Sequence, residues 1–513
     1  MPVARWWSGA EPVAGAPGVR AVSVGASAWR EIAQDVAATG GRLLALWGDT
    51  SDGAATDVRA AYLARPGALV VVLPVAAAGQ RYPGLQDLFP FASRLQRAIF
   101  DLHGLRSTDT DQRPWLRHAA WPENHHPLAP GAGAPGGGLE IEADDYPFVR
   151  VEGDGVHEVP VGPVHAGIIE PGHFRFSIVG EKVLRLEERL GYVHKGIEQR
   201  FQATAMLDGH RLAARVSGDS AVAFSWAYCQ AVEGISGEEV AARATWLRAL
   251  ALELERVANH LGDLGALGND AGFAFGLAQF SRLKEELLRV IARVLGQRYL
   301  LDFVVPGGTS RDIDGDSART LEQHVGALAG EVAALREIYD EHAGVRDRFA
   351  SAGTVAPELA ARLGLVGLAG RASGQALDLR IDLPCHPYTE LAPGKCGSGD
   401  GDVLARVAVR FDEVQESGRL IRLILQRLPA GPHQTEIPAA EAGRVALGLI
   451  EGWRGPVLVA LTSGEDGSIR RCHPHDPSWQ NWPVLEHAII GNIVPDFPLI
   501  NKSFNLSYSG HDL

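Results

Sequence analysis

The sequence reads Arg215-Val-Ser-Gly-Asp-Ser220 at the centre of its most informative region, residues 162–233. A run of strand-like composition, Phe174 to Leu186, leads into the segment Gly191-Tyr-Val-His-Lys-Gly-Ile-Glu198. A helix-like apolar stretch follows. This order predicts a small sheet that opens a larger helical body.

Length and composition are those of an ordinary globular protein. The 513 residues are enough for two or three domains with at least one large core. Apolar residues make up 46% and charged residues 21%, which is typical of soluble domains. The net charge of −14 argues against nucleic-acid binding, because proteins that bind nucleic acid normally present a basic face.

Cysteine usage and apolar runs bear on the compartment and on membrane contact. Four cysteines in so long a chain fit a reducing, cytoplasmic setting. None has C-x-x-C spacing, so we expect no iron–sulfur cluster held by this chain alone. The N-terminus lacks the order of a signal peptide, and the longest apolar run, residues 68–78, is far short of the ~20 residues that cross a bilayer. Membrane association is therefore expected only through partners.

Three stretches carry a resemblance to known proteins. They are residues 191–198, residues 215–220 and Leu252-Glu-Leu-Glu-Arg-Val-Ala-Asn-His-Leu-Gly-Asp-Leu-Gly-Ala-Leu-Gly-Asn-Asp270. Together they resemble the large subunit of the group 4 membrane-bound nickel–iron hydrogenases, of the hydrogenase-4 and formate hydrogenlyase type. They also resemble the related 49-kDa-type subunit of complex I, which forms its quinone site. The resemblance covers nearly the whole chain and implies the hydrogenase large-subunit fold.

A second resemblance concerns the N-terminal part. The segment Arg81 to Leu105 and the closing segment Trp121-Pro-Glu-Asn-His-His-Pro-Leu128 look like the 30-kDa-type subunit of complex I. We therefore predict an α+β protein in three parts. They are a small α/β domain at 1–128, a Gly/Pro-rich linker at 129–144, and a large, mainly helical domain with a small β-sheet at 145–513.

Within the large domain, sequence patterns predict individual elements. Residues 148–161 and 174–186 read as strands, and residues 457–471 read as a hairpin. A helix is predicted over residues 401–428, among other segments. Ser236-Gly-Glu-Glu239 has the pattern of a capping box and predicts the start of a helix.

The resemblance places four nickel ligands on residues that are not cysteine. In the hydrogenases, R-x-C-G-x-C supplies two thiolates and a C-terminal D-P-C-x-x-C supplies two more. At these positions this sequence has Ser217, Ser220, Ser507 and Gly510. A serine hydroxyl stays protonated near neutral pH and is a hard, weak ligand, whereas a nickel–iron centre needs soft thiolates. We therefore expect no functional nickel–iron site and no metal or other cofactor bound by this chain.

The sequence also does not support a quinone site of the usual type. In complex I, a turn that resembles Gly162-Pro-Val-His165 carries a second histidine four residues on, which contacts the quinone head. A tyrosine contacts the other side of the head group. Ile169 stands at the position of that histidine, and the tyrosine position falls near Gly218. His165 is retained as a pocket candidate, and a quinone is left open as a ligand without support from the sequence.

Two carboxylates remain as candidate site residues. Glu198 matches the glutamate that passes protons from the metal site in the hydrogenases, and in an apolar stretch its pKa could be raised so that it relays protons. The alternative is a helix-end carboxylate paired with Lys195 or Arg200. Asp219, between the two serines, is expected to point into the vacated cavity or to serve as a cap or turn residue.

Histidines near a cysteine raise the question of a zinc site. The segment is Cys472-His473-Pro-His475, with His125-His126 elsewhere in the chain. Zinc needs four ligands in a closed tetrahedron, and the spacings for the other two are absent. We therefore interpret residues 472–475 as a loop.

The resemblance implies a subunit of a membrane-associated redox complex that has lost its nickel–iron site and couples electron transfer to proton or ion movement. Expected partners are a small subunit of the complex I 20-kDa type that carries a 4Fe–4S cluster, a ferredoxin-like subunit and antiporter-like membrane subunits. The expected place is cytoplasmic, peripheral on the inner face of the cell membrane. The alternative is a non-catalytic scaffold of such a complex.

Overall fold

The computed structural model describes residues 2–50, 56–75, 81–132, 146–166 and 169–513. Most of the predicted linker, from residue 133 onward, lies outside the described residues. The described N-terminal elements are, in chain order, α1 (Pro2–Ser8), β1 (Glu11–Pro12), β2 (Ala14–Gly15), β3 (Val19–Ser23), α2 (Ala26–Ala38), β4 (Arg42–Thr50), β5 (Thr56–Ala64), β6 (Gly67–Val75), β7 (Arg81–Tyr82), α3 (Ala92–His103) and β8 (Arg106–Ser107).

Five of these strands form a sheet in the order β1-β3-β6-β5-β4, with β3 parallel to β6 and the other neighbours antiparallel. The sheet is covered on both faces. Along β6, Leu69, Val71 and Leu73 belong to the main core, whereas Ala68 and Val70 belong to a second core that includes residues of β14 and β15. Burial on both faces explains why this strand is a continuous apolar run.

The large part follows, and its elements are, in chain order, β9 (Val156–Val161), β10 (His173–Val179), β11 (Lys182–Arg189), α4 (Ile197–Gln202), α5 (Gly209–Ala213), α6 (Ala221–Ser236), α7 (Ala242–Asp270), α8 (Ala274–Leu295), β12 (Val304–Val305), β13 (Gly308–Thr309), α9 (Gly315–Glu341), α10 (Ala343–Phe349), α11 (Pro357–Leu363), α12 (Gly367–Ala372), α13 (Leu379–Asp382), α14 (Tyr388–Leu391), α15 (Val403–Arg427), β14 (Val445–Glu451), β15 (Pro456–Ser463), β16 (Ile469–His475), α16 (Ser478–Ala488), α17 (Phe497–Phe504) and α18 (Tyr508–Asp512). The α+β class, with a helical body and small sheets, is confirmed. Among the described residues, none of the helices combines the length and apolar composition that a membrane span requires.

The N-terminal part and the large part share a sheet. Strand β2 leaves the N-terminal sheet and pairs in parallel with β14, Ala14 opposite Ala446 and Gly15 opposite Leu447, to give the order β16-β15-β14-β2. Gly15 has φ of +98°, and a Cβ there would collide with the Leu447 carbonyl oxygen. The crossing therefore needs glycine at this position.

Several predicted elements are present, and one predicted helix start is wrong. The strand run at 174–186 is the hairpin of β10 and β11, and 457–471 is the hairpin of β15 and β16. Ser236 ends α6 instead of capping the next helix, and its hydroxyl donates to the Glu233 carbonyl at 3.0 Å. Gly237, in the left-handed conformation at φ +77°, terminates α6, and α7 begins only at Ala242.

The helical body contains a network of buried ionisable side chains between α7, α12, α13, α15 and β14. Arg371 donates to Glu413 at 2.7 Å and to Glu451 at 2.9 Å, and Arg380 donates to Glu253 at 3.2 Å. All five side chains are almost fully buried. Loss of one partner from such a pair leaves a buried charge uncompensated, so the network fixes these elements relative to one another.

Candidate functional site

The structure brings together the four positions that the resemblance assigns to nickel ligands, which we call the serine site: Ser217, Ser220, Ser507 and Gly510. Residues 214–220 connect α5 to α6, and residues 505–507 connect α17 to α18. The Ser217 and Ser507 hydroxyl oxygens lie 2.9 Å apart although 290 residues separate them. Ser507 also caps α18, because its hydroxyl oxygen accepts from the Gly510 backbone N–H at 2.8 Å.

An ion pair between Arg454 and Asp219 lies against the serine site. The guanidinium donates to the two carboxylate oxygens at 2.7 and 2.5 Å, to the Ser220 hydroxyl at 3.3 Å and to the Asn505 carbonyl at 2.5 Å. Ser217 donates to Asp219 at 2.8 Å. The arginine side chain is only 5% exposed, whereas that of the aspartate is 39% exposed. The arginine therefore depends on this carboxylate for its charge balance.

The electrostatics of Asp219 follow from this pairing. Burial by itself raises the pKa of its carboxyl group, but the charge and hydrogen bonds of Arg454, together with the Ser217 hydroxyl, outweigh burial and leave the pKa below its ordinary value. Asp219 is therefore ionised at neutral pH. Asp219 lies beside the serine site with Arg454 as a partner that the sequence patterns did not identify, and its role as a site residue stays a prediction.

Asp476 closes the site on the side of Gly510. Its Oδ1 accepts from the Ser478 backbone N–H at 2.8 Å. Its Oδ2 is buried and has no hydrogen-bond partner among the described residues. A Cβ on Gly510 would collide with this oxygen. Because there is no room for a side chain at residue 510, the position of the Asp476 carboxylate requires glycine there.

Glu198 is buried at the start of α4 and paired with residues of β16. It accepts from Arg471 at 2.9 Å, and His473 Nδ1 lies 2.6 Å from the same oxygen. Burial raises the pKa of Glu198, but Arg471 and His473 outweigh burial and bring it below its ordinary value. The predicted rise in pKa is therefore wrong, and so are the predicted pairings with Lys195 or Arg200. The assignment of Glu198 as a proton relay stays a prediction.

The interpretation of residues 472–475 as a loop is also wrong, because they lie in β16. His473 stacks on Trp47 at 5.2 Å between ring centroids, and Arg471 donates to the Gly48 carbonyl at 2.9 Å. These contacts join β16 to β4 of the N-terminal sheet. Within the part of the chain that the structure describes, no group of three or more His, Cys, Asp and Glu residues is placed to hold a metal ion.

His165 packs beside the C-terminal half of the serine site. Its half-buried ring lies 5.5 Å from Phe174 and 6.2 Å from Tyr508, which follows Ser507. Burial lowers the pKa of the imidazole, so it is neutral at pH 7. In the described ranges, no hydrogen bond or ring contact joins His165 to Glu198, so the structure does not bring these two predicted site residues together.

A cavity of about 390 Å³ adjoins the serine site at Gly218 and Asp219. Its lining includes Glu255 of α7, which accepts from the Val222 and Ala223 backbone N–H groups at 2.7 and 3.3 Å. Burial raises the pKa of Glu255 to about 8 against these hydrogen bonds. The carboxyl group is therefore largely protonated at neutral pH, unlike the neighbouring Asp219.

Comparisons with known proteins show which family this chain is similar to. A family model described as the respiratory-chain NADH dehydrogenase, 49 Kd subunit, matches residues 270–446. Formate hydrogenlyase subunit 5 of Escherichia coli (strain K12) is 32% identical over 457 residues, which cover 86% of this chain and 79% of that protein. Hydrogenase-4 component G of the same organism is 31% identical and covers 86% of this chain and 78% of that protein.

A solved structure agrees as well. A chain of the membrane-bound sulfane sulfur reductase, an archaeal respiratory membrane complex, superposes with a TM-score of 0.66 at 26% identity. The match covers 70% of this chain and 98% of that chain. The resemblance inferred from the sequence is thereby confirmed. This chain belongs to the family of the 49-kDa subunit of complex I and the related hydrogenase large subunits.

Proposed function

We propose that this chain is the large subunit of a membrane-associated redox complex of the complex I and hydrogenase-4 type, in which a salt bridge stands beside the positions of the lost nickel ligands. The Arg454–Asp219 pair, set among the hydroxyl groups of the serine site, is the observation that carries the proposal. Relatives named as parts of formate hydrogenlyase and hydrogenase-4 support the class of complex.

The residues of the serine site do not fit a nickel centre. Nickel in such a site needs soft thiolates, and the site offers three hydroxyl groups and a glycine. Those hydroxyl groups already bond to one another, to Asp219 and to Arg454. The guanidinium also places a positive charge where a divalent cation would need negative ligands. No step is therefore assigned to a metal in this chain.

Electron transfer in this proposal belongs to the partners. A small subunit with a 4Fe–4S cluster and a ferredoxin-like subunit carry the electrons, and antiporter-like membrane subunits move protons or ions. The chain sits peripherally on the inner face of the cell membrane and couples the two. A quinone stays unsupported as its ligand, because Ile169 and Gly218 stand at or near the head-group positions and both are exposed.

A second candidate function is a scaffold without a working site. The observation in its favour is that the ion pair and the hydroxyl groups of the serine site are hydrogen-bonded to one another. A dead site of this kind keeps its packing role while the partners do the chemistry. The two functions differ in whether the serine site affects turnover of the assembled complex.

Alanine at Ser217, Ser220 and Asp219 together tests this difference. If the site takes part in coupling, we expect the electron-transfer rate of the complex, purified with its iron–sulfur subunit, to fall roughly tenfold or more. This is the size of effect that the loss of one charged contact produces. The control is Asp302→Ala, which breaks the exposed Arg215–Asp302 pair nearby. Full activity of an intact complex would contradict coupling and favour the scaffold. Comparison of subunit recovery between the variants separates lost assembly from lost turnover.

A further inference from the structure

A cavity of about 600 Å³ lies at the seam between the N-terminal sheet and the large part, away from the serine site. Its lining includes Arg42, Leu63, Arg65, Pro66, Leu377 and Asp382. Arg42 begins β4 opposite Leu63 of β5, and Arg65-Pro66 form the turn between β5 and β6. The register of the sheet thus places two arginines at one end of it, and Asp382 of α13 lines the same cavity.

Arg42 has no negatively charged partner in the described part of the chain. Its guanidinium donates to the Leu365 carbonyl at 3.0 Å and to the Gln375 side-chain oxygen at 2.6 Å, and both acceptors are neutral. Burial lowers the pKa of Arg42, with no carboxylate to oppose the effect. A partly buried charge without a counter-charge is unfavourable, and an anion in the adjoining cavity would offset that cost.

The second arginine, Arg65, lines the same cavity. Arg65 is exposed and makes no hydrogen bond or ion pair with the described residues. Asp382 also lines the cavity, but Lys395 lies 3.1 Å from its carboxylate and compensates it. Among the described residues, neither arginine of this cavity therefore has a carboxylate partner, in a chain whose net charge is −14. A local positive field of this kind concentrates anions.

We propose that this cavity binds a small organic phosphate, with the phosphate held by Arg42 and Arg65 and the organic part held against the apolar wall. A phosphate monoester carries nearly two negative charges at pH 7, which matches the two guanidinium groups, and its oxygens suit their forked donors. The volume falls in the range of small-molecule sites and exceeds what inorganic phosphate fills. Leu63, Pro66 and Leu377 supply the apolar wall.

Calorimetric titration of the purified full-length chain tests the proposal with adenosine 5′-monophosphate, phenyl phosphate, adenosine and inorganic phosphate as probes. At least one of the two phosphate esters is expected to bind more tightly than inorganic phosphate, and adenosine is expected not to bind. Arg65→Gln and Arg42→Gln are each expected to raise the Kd roughly tenfold or more. The matched control is Arg150→Gln, which removes an exposed arginine elsewhere.

Three results would overturn the proposal. They are no heat from either ester at millimolar concentration, equal weakening by Arg65→Gln and Arg150→Gln, or inorganic phosphate binding as tightly as the esters. Arg65 is exposed, so its variant is expected to fold. Should Arg42→Gln unfold, Leu63→Trp, which fills the cavity from β5, takes its place and is expected to abolish binding of the esters while inorganic phosphate still binds.

Discussion

Asp219→Asn is expected to lower the free energy of unfolding of the region around the serine site by about 3 kcal/mol. The variant leaves the Arg454 guanidinium, 5% exposed, without the carboxylate that accepts two of its hydrogen bonds. The loss is set below the upper range for buried pairs because the aspartate itself is 39% exposed. Denaturant unfolding followed by tryptophan fluorescence measures the change, and Trp453 beside the guanidinium reports on the site.

Asp302→Asn is a matched control for this prediction. The Asp302 side chain is also 39% exposed and also pairs with an arginine, Arg215, at 2.6 Å, but that arginine is 48% exposed. Asp302→Asn is expected to lower the free energy of unfolding by less than about 1 kcal/mol. An equal loss in the free energy of unfolding for the two variants would show that burial of the arginine does not set the size of the effect. Because the pKa of Asp219 is lowered, its contribution is present above the ordinary value of 3.8 and is lost as the pH falls through the lower folded-state value.

Glu255→Gln is expected to make stability less dependent on pH between about 4.5 and 8. The pKa of Glu255 is raised to about 8 by burial, so the folded state keeps a proton that the unfolded state loses above 4.5. The wild type is therefore expected to lose stability as the pH rises through this window, by an amount on the order of 3–4 kcal/mol. Glutamine keeps an oxygen for the Val222 N–H and removes the titration.

The measurement is the free energy of unfolding of wild type and variant at pH 5 and at pH 8. The variant is expected to match the wild type at pH 5 and to exceed it at pH 8. Glu285→Gln, which changes a carboxylate that is 40% exposed on α8, is the control, and no gain at pH 8 is expected for it. Parallel pH profiles for wild type and Glu255→Gln would show that this carboxyl group is not protonated at neutral pH.

The sequence predicted correctly those secondary-structure elements that depend on residues close to one another in the chain. The hairpin of β15 and β16 was predicted from the runs 457–462 and 469–471 around a glycine-containing turn, and the helical body was predicted from residue spacing. The capping pattern at Ser236 failed because Gly237, in the left-handed conformation, ends the preceding helix there. A short motif competes with its neighbours, and the backbone freedom of one glycine was enough to override it.

The partners of the candidate site residues were not predictable in this way. Glu198 lies 273 residues from Arg471, and Asp219 lies 235 residues from Arg454. No spacing rule connects such distant positions, so the apolar surroundings of Glu198 suggested a raised pKa when its ion partners in fact lower it. The resemblance did place Ser217 and Ser507 at one site, because it carried three-dimensional information that a single sequence lacks.

Nickel and iron content per chain, determined by elemental mass spectrometry on the complex purified without oxygen, tests the central claim most directly. The account predicts iron in the amount that 4Fe–4S clusters of the partner subunits require, and nickel at background level. The isolated chain is expected to contain neither metal above background. Nickel near one atom per chain would contradict the account, because the hydroxyl groups and the guanidinium at the serine site would then have to coexist with a metal they do not suit.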